Sequence, residues 1–271
     1  MKRPISPIEW LGAAVTVGLV GAFALPLLAS GHANANRATC LGNLKQIGAS
    51  LMMYADDWDA VLPRTSEERP KKGLGAHWTY VVQRYARSQA IFVCPADRDP
   101  GFNSKGSVDT PKRVPLLSYV NNYAAIPAHD FYPVPLSVLT DPASLIVLGE
   151  RRHQVNEELL ARSWKGTSGF FPGQPCQDLE LGVRYRRTTS AEAERIVSIA
   201  RNDKDLLIIR LDWAAHNGGS NYAFADGHAE FEPLGRTLDP NRFQWGERFY
   251  PRSMPDADCD GLIKHRRKTQ P

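Results

Sequence analysis

Two hydrophobic patterns follow one another in the N-terminal part of the chain. Residues 10–29 form a run of 20 positions without a charge. At a helical rise of about 1.5 Å per residue this run spans roughly 30 Å, the thickness of a bilayer's hydrocarbon core. Over 37–58 the pattern becomes a stripe. Leu41, Leu44, Ile47, Leu51, Tyr54 and Trp58 recur at three- and four-residue steps, which places them on one face of a helix. Asn43, Lys45, Gln46, Asp56 and Asp57 fall largely elsewhere. The pattern predicts one long helix over 5–58, a stalk with its first half in a membrane and its second half packed against a globular head.

The head alternates short elements with loops. Residues 63–75 are charged and rich in Pro and Gly, a surface loop. Over 78–85 a short helix is predicted, with Trp78, Val81, Val82 and Tyr85 on one face. Residues 90–93 read as a strand leading into Cys94, and 98–115 as loop. Strands are expected over 117–124, 144–148 and 206–211, where β-branched, aromatic and aliphatic residues gather. Residues 151–204 read as an insertion in the head, with a Gly/Pro-rich turn region at 166–175 and a helix over 191–201 carrying Ile196 and Ala200 on one side.

The sharpest pattern lies near the end. Tyr222, Phe224 and Phe231 alternate with small or polar residues on either side of Asp226-Gly227. An Asp-Gly pair between two such runs predicts a hairpin, because Gly tolerates the positive φ that a tight turn requires. His216, Asp226 and His228 are read as structural members of this fold-closing hairpin. The alternative is that the three converge as a zinc or iron site, which their ligand types suit. No nucleophile with an activating base accompanies them, so no enzyme is expected.

Charge sets the orientation. Lys2 and Arg3 precede the apolar run and no Lys or Arg follows until Arg37, so the N-terminus is expected in the cytoplasm and the head across the membrane. A cleavable signal peptide ending at Ala33-Asn34-Ala35 is the competing reading. Ala14, Gly18 and Ala22, four apart, form a small-residue face that another helix can approach. Glu9 at the edge of the span needs a partner or the headgroup layer. Pro26 removes a backbone donor and is expected to bend the helix. A formal charge of +4 and a basic cluster confined to 265–268 exclude no class by themselves, but no nucleic-acid-binding module is present.

The cysteines Cys40, Cys94, Cys176 and Cys259 contain no CxxC pair, which excludes zinc-ribbon spacing. With the head outside the cytoplasm two disulfides can form, in three connectivities. Cys40 with Cys94 is the first choice, since that bridge would pin the head to its helix; free buried thiols are the alternative. Asp256, Asp258, Asp260 and Gly261 match the first half of an EF-hand-type calcium loop, but the twelfth position, which should supply a bidentate Glu, is Arg267. The segment is either a structural calcium site or a plain acidic turn.

Ile5-Ser6-Pro7-Ile8-Glu9 followed by an apolar run resembles the N-terminus of type IV prepilins and pseudopilins. Glu9 falls on that family's glutamate and Pro26 on its helix-kinking proline. Where the family carries Gly ahead of its cleavage site this chain has Pro4, which leaves processing after Pro4 open. The stretch 40–59 that ends in Leu62-Pro63, the Phe92-Val93-Cys94-Pro95-Ala96-Asp97 element, and His216 with Asp226-Gly227 are similar to the bacterial pseudopilin-like family with a C-terminal H-X9-DG motif, a domain of unknown function.

The resemblance implies an α+β, pilin-like fold, a long N-terminal helix packed on an antiparallel sheet. Its parts would be a cytoplasmic tip and membrane helix (1–30), an amphipathic extension (31–58), and an extracytoplasmic head (59–271) that holds the insertion and the 216–231 hairpin. It implies a structural subunit of a type II secretion or type IV pilus-related system, single-pass in the inner membrane. Such a subunit would assemble with itself or with other pilin-like subunits through the N-terminal helix and Glu9, and would need no cofactor. The alternative function is a stalked extracytoplasmic binding module that is not assembled into a filament.

Overall fold

The computed structural model describes residues 7–64, 66–67, 76–98, 117–122, 124–126, 133–152, 189–199 and 211–246; within the N-terminal helix, side chains are described at 16, 18, 22, 28 and from 30 onward. The architecture is α+β, with helices against an antiparallel sheet. Helix α1 runs Pro7–Asp57. A two-stranded ribbon of β1 (Ser66–Glu67) and β2 (Ala76–His77) leads into α2 (Trp78–Val82). The main sheet contains β3 (Tyr119–Asn121), β4 (Ile146–Glu150), β5 (Ser220–Phe224) and β6 (Ala229–Glu232), in the order β3-β4-β5-β6 with every pairing antiparallel. Helix α3 (Ser190–Ile199) precedes β5, and a single turn, α4 (Leu234–Thr237), follows β6.

The stripe on α1 is the seam between helix and sheet. Cys40, Leu44, Ile47, Leu51, Tyr54 and Ala55 are buried at three- and four-residue steps, so one face of the helix is removed from water. Each fully buried Leu or Ile on that face contributes roughly 1.5–3 kcal/mol of transfer free energy. The stripe departs from expectation at two positions. Leu41 is half-buried, and Trp58 is 56% exposed, stacking on Tyr54 with ring centroids 5.8 Å apart. Trp58 drops off the seam because α1 ends at Asp57 and the chain turns back through Asp59 and Ala60 at positive φ.

Strands β4 and β5 are buried along their whole length, so the centre of the sheet is covered on both faces. Side chains alternate between the faces of a strand. Tyr119, Glu150 and Asn221 look toward α1: the Tyr119 hydroxyl donates to the Cys40 carbonyl at 3.4 Å, and Asn221 Nδ2 donates to the Arg37 carbonyl at 3.3 Å. Tyr222 looks the other way, edge-on to Trp245. Trp245 in turn donates Nε1–H to the Thr237 hydroxyl of α4.

Two local expectations are corrected. Residues 90–93 do not form a strand; Gln89–Phe92 is a single 3-10 turn, capped where the Ser88 hydroxyl accepts the Ala90 N–H. Such a short apolar run takes its conformation from packing, and the turn places Ile91 and Phe92 together in the core. The strand expected over 117–124 is confined to Tyr119–Asn121, because Asn122 turns the chain: its side chain accepts the Ala124 N–H. The expected strand at 206–211 is described only at Leu211, which bridges to Arg151.

Candidate functional site

The H-X9-DG segment forms the predicted hairpin, and each of its ends is tied to α1. At the turn, Gly227 has φ +90° and lies against Gly48 of the helix. The approach is close: a Cβ on Gly48 would stand 2.5 Å from the Gly227 carbonyl oxygen, and one on Gly227 would stand 2.9 Å from Met52 Cγ. Both positions therefore exclude a side chain, and Gly227 also needs the left-handed backbone that glycine adopts freely. Asp226 closes the turn by accepting the His228 backbone N–H at 3.0 Å and pairing with His228 Nδ1. His228 stacks flat on Phe224.

The other end is a buried polar centre. Glu150, the last residue of β4, is held by four donors: Nε2 of His216 at 2.7 Å and Nδ2 of Asn221 at 3.2 Å to Oε1, and the Ser220 hydroxyl at 2.7 Å and the Asn221 N–H at 2.9 Å to Oε2. A carboxylate only accepts, so the shared hydrogen belongs to His216 Nε2. The same ring nitrogen lies 3.7 Å from Cys94 Sγ. Cys94 is disulfide-bonded to Cys40 of α1, as the first choice of pairing anticipated. Arg151 faces Asp97 at 3.9 Å, both side chains buried. With four hydrogen bonds a buried carboxylate is compensated, and removing any partner leaves a desolvated charge. Burial also pushes the Tyr119 and Tyr222 hydroxyls well above the usual phenol range, and Glu150 adds to both shifts. Both hydroxyls stay neutral, and that of Tyr119 is the donor to the Cys40 carbonyl.

The motif residues therefore separate. His216 joins Glu150 and the disulfide, while Asp226 and His228 pair with each other on the exposed turn. The expected alternative of a single His216–Asp226–His228 metal site is overturned, because a two-stranded hairpin puts its first residue and its turn at opposite ends. Glu150 was not anticipated. It follows Leu-Ile-Val-Leu-Gly, where the glycine reads as the end of a strand, and pairing with β3, Val120 with Gly149 and Tyr119 with Glu150, carries the strand on. A lone carboxylate directly after an apolar run is the signal that could have found it.

Glu9 and Pro26 lie in α1 at positions whose side chains are outside the described ones, and Cys176, Cys259, Asp256, Asp258 and Asp260 fall outside the described residues. Among the described residues no helix is long and apolar enough to cross a membrane. Comparison of the chain with protein-family models, curated proteins and solved structures returns no match.

Proposed function

We propose that this chain is a membrane-anchored, pilin-like structural subunit whose head is clamped to the distal half of one long helix. The observation that carries the reading is the division of α1. Every described side chain from Thr16 to Ala35 is exposed, whereas Cys40 to Ala55 present a buried stripe to the sheet. A helix extended beyond its own domain, with uncharged sequence in the extension, is suited to lie in lipid or against identical helices. The disulfide, the Gly48–Gly227 contact and the Asn221–Arg37 bond keep the head fixed to that helix, as transmission of assembly through the stalk requires. In this reading the protein is not an enzyme. It sits in the inner membrane with the head outside the cytoplasm, in a type II secretion or type IV pilus-related system, and Glu9 neutralises a neighbouring subunit's amine in hydrocarbon.

The test is the intact mass and N-terminal residue of the protein purified from its native membrane, followed by cross-linking in membranes. A chain beginning at Ile5, with higher-order cross-linked species lost on Glu9→Ala, is the expected result. A chain retaining its N-terminal segment, and monomeric in membranes, would favour an anchored binding module instead. A chain beginning near Asn36 would overturn both anchored readings.

A further inference from the structure

We propose that reduction of the Cys40–Cys94 bond turns the buried centre beside it into a binding site for a divalent transition metal of zinc's class, held by Cys40, Cys94, His216 and Glu150. The inference rests on the head alone and stands whether or not the stalk lies in a membrane. Among the described residues these four groups form a cluster in which one ligand atom from each lies within 4.8 Å of every other, and all four residues are buried. They come from four separate parts of the chain: α1, the segment after the 3-10 turn, the end of β4 and the start of the hairpin.

The chemistry of the set is that of a closed zinc site. Two thiolates, one imidazole and one carboxylate are ligands zinc accepts, and tetrahedral bond lengths of about 2.0–2.3 Å require ligand atoms roughly 3.3–3.8 Å apart. His216 Nε2 stands 3.7 Å from Cys94 Sγ and 2.7 Å from Glu150 Oε1, so apart from the parting sulfurs the adjustments are small. The surroundings also orient the ligands. Ser220 and the Asn221 N–H hold Glu150 Oε2, while Oε1 faces His216 and also accepts from Asn221 Nδ2, so the carboxylate is fixed as outer partners of metal ligands do. A hydrogen-bonded centre serving stability alone does not call for two sulfurs at the same point.

The steps balance. A dithiol reductant supplies two electrons and two protons to the sulfur–sulfur bond and becomes a disulfide itself. The metal ion then displaces the two thiol protons to water, and the imidazole hydrogen moves from Nε2 to Nδ1 so that Nε2 can ligate. Oxidation reverses the sequence and expels the ion. Burial of all four groups places loading in the folding chain, before the hairpin closes over α1.

The experiment uses the full chain in detergent with Cys176→Ser and Cys259→Ser, so that no other thiol competes. It is refolded with Co²⁺ under a phosphine reductant and, in parallel, after oxidation. The expected result is one Co²⁺ per reduced chain with a thiolate-to-cobalt charge-transfer band and the intense visible bands of tetrahedral cobalt, displaced by Zn²⁺. The oxidised chain should show none. His216→Ala and Glu150→Gln should each weaken binding at least about tenfold. A reduced chain that circular dichroism shows folded but without the bands would overturn the proposal, as would bands indifferent to both substitutions. If reduction unfolds the head, Zn²⁺ must restore the folded signal; failure to do so also overturns it.

Discussion

The two halves of α1 belong to one unbroken helix and live in different surroundings. From Cys40 onward the helix is a structural member of the head, with its stripe under the sheet, a covalent bond to Cys94 and backbone contact with the hairpin turn. From Thr16 to Ala35 the described side chains are exposed, Leu28 at 60% among them. Identical helical geometry thus carries two kinds of information. In the distal half, side-chain volume is dictated by neighbours within the chain. In the proximal half the described side chains are exposed, so core packing does not set their volume.

The comparison is tested most strongly at the disulfide. Replacing Cys40 and Cys94 together by Ser removes a cross-link between positions 54 apart in sequence, and about 4 kcal/mol of stability should be lost in urea denaturation, by the loop-entropy scale for a closure of that size. A change below about 1 kcal/mol would mean that packing alone holds the distal half, and that the bond is dispensable.

A matched pair of glycines on the same helix follows. Gly48→Val forces a side chain against the Gly227 carbonyl, whereas a Cβ on Gly18 meets nothing within 4 Å. Gly48→Val should cost about 3 kcal/mol, since the obstruction is backbone on both sides. Gly18→Val should leave head stability within about 0.5 kcal/mol and weaken subunit cross-linking in membranes. Equal effects at the two positions would erase the distinction between the halves.

Glu150→Gln comes next. It keeps the shape but turns one acceptor into a donor facing Ser220 and Asn221 or His216, and about 2 kcal/mol should be lost, readable as a lowered denaturation midpoint.

The smallest effect is a slope with pH, on the edge strand that flanks the distal half. Burial pushes the Glu232 carboxyl above its ordinary value of 4.5, with Arg236 opposing. The folded chain therefore holds this proton more tightly than the unfolded chain. The resulting stabilisation is complete below the ordinary value and is lost as pH rises through the raised one. Glu232→Gln removes the titration, so the variant's midpoint relative to the parent should move upward between acid and neutral pH. A difference that falls over that interval would show that the Arg236 pair outweighs desolvation.

Much of this was legible in the chain. The burial of Leu44, Ile47, Leu51 and Tyr54, the Asp226-Gly227 turn, the start of a short helix at Trp78 (which stops at Val82 rather than running to Tyr85), and the strand through Ile146 and Leu148 all follow from patterns that act over a few residues. Periodicity and turn chemistry are local, and the chain alone determines them. The cysteines alone allow three connectivities, and the seating of the head on α1 selects Cys40 with Cys94.

What only the tertiary structure decided is where distant residues meet. Nothing near Gly48 announces that Gly227 will touch it, and Glu150 shares no local pattern with His216, 66 positions away in sequence. The same holds for the separation of Asp226 from His216, which in sequence look like members of one cluster. These meetings are set by strand register and by the seating of the helix on the sheet. Both depend on the summed packing of the core, and no short stretch of sequence encodes that sum.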